Sequence, residues 1–256
     1  MARNSNLDNR EKQIMTFLKK HPQASNDFLM EQLFLSRSTL RRSLIELESK
    51  GLIIRYHGGI ILKELNLKED TSDERMCKNR QEKIAIASVA KNLLDDNMVL
   101  FLDSSSTVSY LAPHLAEHHL TIITNNINLA KDLRNVPELD VYLVPGLLNP
   151  HSTSTVGNFA LDFVSKFRAD LCFLSCRAAN VDGFFEGDGE QAKVKQAMMA
   201  GAKDTYLLCD NSKFNCSGTY ITSPYSKLTG LITSASLPQD ISNSIQGIVC
   251  KHIVAK

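Results

Sequence analysis

The 256-residue chain has no tryptophan, no C-x-x-C pair and no apolar run approaching the ~18 to 20 residues of a membrane span. Each absence removes a class of protein. Without paired spacings, the six cysteines (Cys77, Cys172, Cys176, Cys209, Cys216, Cys250) outline neither a disulfide framework nor a zinc ribbon. Several sit inside apolar runs, where cysteine behaves as a small hydrophobe, so reduced thiols in a cytoplasm are expected. Met1 to Arg10 is polar rather than a charged start leading into an apolar stretch, and neither secretion nor a membrane partner is expected. His114, His118 and His119 have no cysteine at ligand spacing and read as a solvated helix end. The expectation is no metal and no cofactor.

What remains is ordinary: 43% hydrophobic and 22% charged residues exclude collagen-like, disordered and disulfide-scaffold chains. At ~100 to 200 residues per domain, the length allows one large domain or two smaller ones. Charge separates two regions. Residues 1–63 carry eleven basic side chains against six acidic ones, a net of +5, which leaves −4 for the remainder of a chain whose total is +1. A basic head on a mildly acidic body fits a polyanion-binding module joined to a body with other work, and equally a lopsided solvated surface.

Periodicity distinguishes the same regions. Ile14, Phe17 and Leu18 fall at i, i+3, i+4, and the pattern stops at His21-Pro22, giving a helix over 9–20. Ser25 is a good cap for a second helix with Phe28, Leu29 and Leu33 on one face. Ser36 caps a third, with Leu40, Leu44 and Leu47 on a stripe that ends at Gly51. Two helices joined by a three- to four-residue turn, the second basic, make a helix-turn-helix. Residues 52–55 and 60–62 flank Tyr56-His57-Gly58-Gly59 and read as a hairpin, or wing.

Residues 1–63 thus form the expected DNA-binding domain, 64–81 a polar and partly helical linker, and 82–256 the body. In the body, strands are expected at Met98 to Leu102, Leu120 to Thr124, Val141 to Val144, Leu171 to Cys176 and Thr205 to Cys209. Helical patterns lie between them at Lys83 to Leu94, Val108 to Leu115, Ile127 to Leu133, Phe159 to Phe167 and Glu190 to Ala200. Regular alternation predicts an α/β domain with a mostly parallel sheet.

With its leucines inward, the third helix exposes Ser36, Arg37, Ser38, Thr39, Arg41 and Arg42. Arginine grips a guanine edge or a phosphate, and small hydroxyl residues let a helix sit deep in the major groove. Arg55 and His57, beside Gly58 and Gly59, would bring cationic donors to the backbone or minor groove. Taken alone, the pattern also fits a winged helix used for protein contact.

The stretches Ser36-Arg37-Ser38-Thr39-Leu40-Arg41-Arg42-Ser43-Leu44, Leu47-Glu48-Ser49-Lys50-Gly51 and Arg55-Tyr56-His57-Gly58-Gly59 closely resemble the DeoR family of bacterial transcription regulators. The family's signature is S-x-x-T-[IL]-R-R-D-L, then L-E-x-x-G and R-x-H-G-G. Ser43 replaces the usual Asp, a change expected to alter a helix-surface contact and leave the fold intact. The resemblance continues to about Thr233 and implies a body like ribose-5-phosphate isomerase that binds a small phosphorylated sugar. Asp103-Ser104-Ser105-Ser106-Thr107 matches D-x-G-[ST]-T, with Ser105 for a glycine that lets backbone approach the ligand. Asn125 and Asn126 match T-N-S after a strand, and Pro145-Gly146 stands for Gly-Gly. Later blocks carry Glu190, Lys195 and Lys213, of which Lys213 is best placed to neutralise a phosphate.

The resemblance implies a repressor of a carbohydrate operon, acting as a homo-oligomer on double-stranded operator DNA and controlled by that sugar phosphate. The alternative is a sugar-phosphate isomerase or deaminase carrying an accessory winged helix. Asp103, Glu190 and Asp210 are its imaginable bases, but the D-G-A-D-E run of the isomerases is missing: Asn180 to Gly189 keeps Asp182-Gly183 without the following pair of acids. The expectation is therefore a regulator and not an enzyme.

Overall fold

The computed structural model describes residues 8–20, 23–56, 59–62, 72–149, 152–216, 218–248 and 251–255. His57 and Gly58 of the wing, residues 64–71 of the expected linker and Cys250 lie outside them. The chain divides into two compact units, Met1–Glu69 and Asp70–Lys256.

In the first unit, α1 (Asn9–Lys20) begins with a reciprocal cap. Asp8 Oδ1 accepts from Glu11 N at 2.7 Å and Glu11 Oε2 from Asp8 N at 2.8 Å, satisfying donors that every helix start leaves open. β1 (Gln23–Ser25) leads into α2 (Asn26–Leu33), whose Phe28 N is capped by Ser25 Oγ at 3.1 Å. Phe34 closes α2 at φ 53 with 94% of its surface exposed. α3 (Arg37–Ser49) ends as its glycine predicts: with Gly51 at φ 69, Leu52 N donates to Leu47 O at 2.9 Å and Gly51 N to Glu48 O at 2.8 Å.

β2 (Ile53–Tyr56) and β3 (Gly59–Leu62) form the expected hairpin, and β1 joins it in the order β1-β3-β2. That third strand was not anticipated, because three residues carry no readable alternation. Ile14, Leu18, Leu29, Leu40, Leu44, Leu47, Ile53 and Ile60 are the core. Phe28 departs from the face assigned to it: it is half-exposed, its ring edge-on to Phe17 at 5.7 Å. Ser43 departs too, since it is buried rather than on the helix surface, in a cleft with Asp8, Arg10, Glu11 and Lys50.

The second unit starts with α4 (Ser72–Cys77) and α5 (Arg80–Ala90), then β4 (Val99–Leu102), α6 (Ser106–Ser109), α7 (Ala112–Leu115), β5 (Leu120–Thr124), α8 (Ile127–Leu133) and β6 (Leu139–Leu143). A small hairpin, β7 (Leu147–Leu148) with β8 (Thr155–Val156), precedes α9 (Asn158–Ser165) and β9 (Ala169–Leu174). β10 (Ala178–Asn180), β11 (Gly183–Glu186), α10 (Gly189–Gly201), β12 (Ala202–Cys209), β13 (Tyr220–Ser223), β14 (Gly230–Thr233), α11 (Gln239–Ile245) and β15 (Lys251–Val254) complete it.

Seven of these strands form one parallel sheet in the order β15-β14-β12-β9-β4-β5-β6, the α/β architecture expected. Alternate residues feed a core on each face: Leu100 and Leu102 pack with Ile86 and Leu208, and Phe101 with Met198 and Leu207.

Several boundaries differ from those predicted. The expected helix Val108 to Leu115 is two short ones, α6 and α7, because Pro113 in the first turn of α7 has no N–H to continue a ladder. β6 lies two residues earlier at its start than Val141. β14 and β15 were missed, as was the antiparallel sheet β10-β11-β13. Cys77, Cys172, Cys176, Cys209 and Cys216 are free thiols. Among the described residues, no helix is long and apolar enough to cross a membrane.

Candidate functional site

Two sites follow from these elements, one in each unit. On α3, Arg37, Ser38, Arg41 and Arg42 are exposed and Thr39 partly so, with Ile45 beside them, while the leucine stripe faces inward. Ser36 caps the helix by accepting from Thr39 N at 3.3 Å, and its hydroxyl meets those of Ser38 at 3.1 Å and Thr39 at 2.9 Å. The first turn therefore presents a close-packed set of hydroxyls between arginines. Arg55 is less free than its sequence setting implied: its N donates to Glu48 Oε1 at 3.3 Å, and Nη1 approaches Oε2 at 3.4 Å. Gly59 lies in β3, and His57 and Gly58 fall outside the described residues.

In the second unit, strand order reverses between β4 and β9, and ligands of open α/β sheets bind beyond the carboxyl ends of strands at such a point. The loop 103–107 follows β4 there, Asn125-Asn126 follow β5, Ser175 follows β9 and Asp210 to Lys213 follow β12.

Asp103 is buried, and both its oxygens are occupied. Oδ1 accepts from Ser105 N at 2.9 Å and Ser105 Oγ at 2.5 Å; Oδ2 accepts from Ser175 N at 3.0 Å and lies 2.7 Å from Lys195 Nζ. Lys195 also reaches Glu186 Oε1 and the Ser175 carbonyl, each at 2.6 Å. Burial alone would lower its pKa, but the carboxylates of Asp103 and Glu186 outweigh that and hold the ammonium above the usual lysine range.

Ser105, expected to crowd a glycine position, instead has an ordinary extended backbone (φ −74) and caps α6 by accepting from Val108 N at 3.3 Å. Ser104 Oγ donates to Gln191 Oε1 at 3.2 Å, and Thr107 Oγ1 lies 3.5 Å from Ser175 Oγ. Ser106 Oγ accepts from Lys83 Nζ at 3.0 Å on the opposite face of the sheet. Lys83 is 2% exposed and also donates to the Arg75 carbonyl. Burial, only partly offset by Asp210 and reinforced by Lys213 and Arg75, pushes its pKa down to about 8. Lys213 Nζ lies 3.9 Å from Asp210 Oδ2, a buried oxygen with no hydrogen-bond partner among the described residues.

Asn126 caps α8 by accepting from Leu129 N at 3.1 Å and donates to Ser109 Oγ at 3.0 Å. Asn125 donates to the Thr155 carbonyl at 3.0 Å, and its buried Oδ1 has no hydrogen-bond partner among the described residues. Two expected residues do not join this group. Glu190 pairs with Lys193 at 2.7 Å on a half-exposed turn. Gly146 is a packing glycine, since a Cβ there would lie 2.5 Å from the Val156 carbonyl oxygen.

Sequence reasoning passed over Lys83, Glu186 and Gln191 and set Lys195 below Lys213. A signal existed for the lysines. Lys83 occupies the phase of Ile86, Ala87 and Ala90, and Lys195 that of Gln191, Ala192 and Met198, so each stands on a buried helix face.

A winged helix-turn-helix joined to a parallel α/β unit, with a polar cluster at the sheet's ligand edge, is the architecture of a ligand-sensing transcription regulator. The chain belongs to the DeoR family: the DeoR-like helix-turn-helix domain matches residues 10–65 and the DeoR C terminal sensor domain residues 78–235. The HTH-type transcriptional repressor CsqR of Escherichia coli (strain K12) is 30% identical over 239 residues, covering 93% of this chain and 91% of its own length. GlcR of Bacillus subtilis (strain 168), another HTH-type transcriptional repressor, is 31% identical over 220 residues, 86% of this chain and 85% of its own. The glycerol-3-phosphate regulon repressor of E. coli (strain K12) is 29% identical over 230 residues, 89% and 91% of the two chains. Among solved structures, ribose 5-phosphate isomerase A from Methanocaldococcus jannaschii aligns with a TM-score of 0.40 at 16% identity, over 54% of this chain and 55% of its own.

Proposed function

We propose that the protein is a cytoplasmic, homo-oligomeric repressor of a carbohydrate operon and not an enzyme. α3 enters the major groove through Ser36 to Arg42, and a small phosphorylated sugar at the sheet's ligand edge changes operator affinity. The observation that carries the second half is the buried Lys83 ammonium on a loop of serine hydroxyls where the strand order reverses, with Lys213 close enough to act on it. Ammonium groups with clustered hydroxyl donors suit a phosphate monoester, and the orphan acceptors Asn125 Oδ1 and Asp210 Oδ2 suit hydroxyl donors of a sugar. A relative named for glycerol-3-phosphate points the same way. Against catalysis, Asp103 has no oxygen left to take a proton and Glu190 is tied to Lys193, so two of the three imaginable bases are committed elsewhere.

Oligomerisation follows from operator binding, because one small winged helix makes few contacts and a two-fold repeats them on a repeated site. The test is a band-shift on the chain's own upstream DNA, with and without pentose, hexose and triose phosphates, beside light scattering and an isomerase assay. Binding that a sugar phosphate alters, by an oligomer without turnover, is expected. Arg42→Ala should cost ~1 to 3 kcal/mol of operator binding if it reads a base. Unchanged binding in both Arg41→Ala and Arg42→Ala would overturn the α3 assignment.

A further inference from the structure

α4 is held at its carboxyl end by the ligand edge. The last carbonyls of a helix have no partner within it, and six residues make a helix too short to persist alone. Here Lys83 Nζ donates to the Arg75 carbonyl and Tyr110 Oη to the Met76 carbonyl at 2.7 Å. In the turn that follows, Asn79 Nδ2 donates to Asp210 Oδ1 at 2.9 Å and to Ser212 Oγ at 3.1 Å. Lys83 and Asp210 belong to the cluster that adjoins the hydroxyl loop. Among the described residues, Lys83 Nζ has a hydroxyl and a carbonyl at hydrogen-bonding distance and no carboxylate, so an anion there would be its first close counter-charge. Yet with Lys83 2% exposed and the Arg75 carbonyl on its Nζ, no ligand reaches that ammonium while the end of α4 stays in place.

We infer that Lys83 recognises an anionic group of the effector, and that it does so by exchanging the Arg75 carbonyl for that group, so that occupation of the ligand edge unlatches α4. The inference rests on the sugar-phosphate reading above and adds the residue and the movement. The exchange is favourable because the Arg75 carbonyl offers the ammonium only a dipole, whereas a phosphate oxygen brings a full opposite charge to the same distance. A carbonyl released from Lys83 is left to water, which suits a short helix. Among the described elements, α4 is the next after wing strand β3 in the chain, so a change there begins on the β3 side of the second unit.

The test uses the full chain, calorimetry and amide hydrogen exchange, with glucose 6-phosphate, fructose 6-phosphate, ribose 5-phosphate, glycerol 3-phosphate and inorganic phosphate as probes. A probe that binds should speed exchange over residues 72–79 and slow it over 103–107. Tyr110→Phe removes one donor to α4 without touching Lys83, and should bind that probe about 2- to 10-fold tighter, the equivalent of one hydrogen bond. Lys83→Gln should lose at least about tenfold. A probe that binds wild type and Tyr110→Phe equally, with exchange over 72–79 unchanged, overturns the latch and leaves the effector reading standing. Silence of every probe with both proteins takes down the effector reading and the latch together. Binding by Tyr110→Phe alone supports a latch too tight to open unaided.

Discussion

Two lysines, Lys195 and Lys83, are buried on opposite faces of the same sheet edge and hold the two ends of one five-residue loop, yet their pKa values move in opposite directions. Lys195 lies within 2.7 Å of two carboxylates and donates to the Ser175 carbonyl as well. Among the described residues, Lys83 holds a hydroxyl and a carbonyl at hydrogen-bonding distance, with the carboxylate of Asp210 acting on it from further away. Burial is common to both; what differs is the counter-charge. A buried ammonium with its full complement of anions is architecture, and one without it is a vacancy for an anion.

Removing each lysine in turn gives the widest separation. Lys195→Met leaves Asp103 and Glu186 buried and unpaired, and should cost ~3 to 5 kcal/mol in urea unfolding. Lys83→Met removes a cation with no bonded carboxylate and should cost under ~2 kcal/mol while abolishing the sugar-phosphate response. Equal losses from both would erase the distinction.

The pH dependence of effector binding comes next. Free Lys83 titrates at about 8 among Asp210, Lys213, Arg75 and Cys77, and a phosphate docked on Nζ would raise that value. Binding then takes up a proton above pH 8, so affinity should fall as pH rises through 8, by at most about tenfold per pH unit, in calorimetry. An affinity flat from pH 7.5 to 9.5 would mean that Lys83 does not meet the ligand.

The smallest effect is that of Ser105→Gly. It loses the cap of α6 and one bond to Asp103 and should lower the melting temperature by the equivalent of ~1 kcal/mol or less. A loss comparable with that of Lys195→Met would place the anchor of the loop in the serine instead.

The DNA-reading unit was legible because its signals are local: Ser25 and Ser36 stand immediately before their helices, Gly51 just after, and the leucine stripe repeats every three to four residues. The alternation of the body was legible for the same reason. β15, an edge strand reading Lys-His-Ile-Val, has no alternation or run to mark it, and the two-residue strands β7 and β8 are below any period. At the ligand edge the serine loop stands out in sequence, but Asp103's role does not. Its partner Lys195 arrives from α10, and only tertiary structure shows that the carboxylate faces inward to hold the loop.

The sequence distance between the wing and Lys195 also sets an order in time. The wing strand β3 closes the first unit's core by Leu62, whereas Lys195 leaves the ribosome about 130 residues later, roughly 7 to 26 s at ~5 to 20 residues per second. Until then Asp103 has no counter-ion, and its end of the loop has no lysine to hold it. During synthesis, a nascent chain carries a finished reader of DNA before it owns the means to let go.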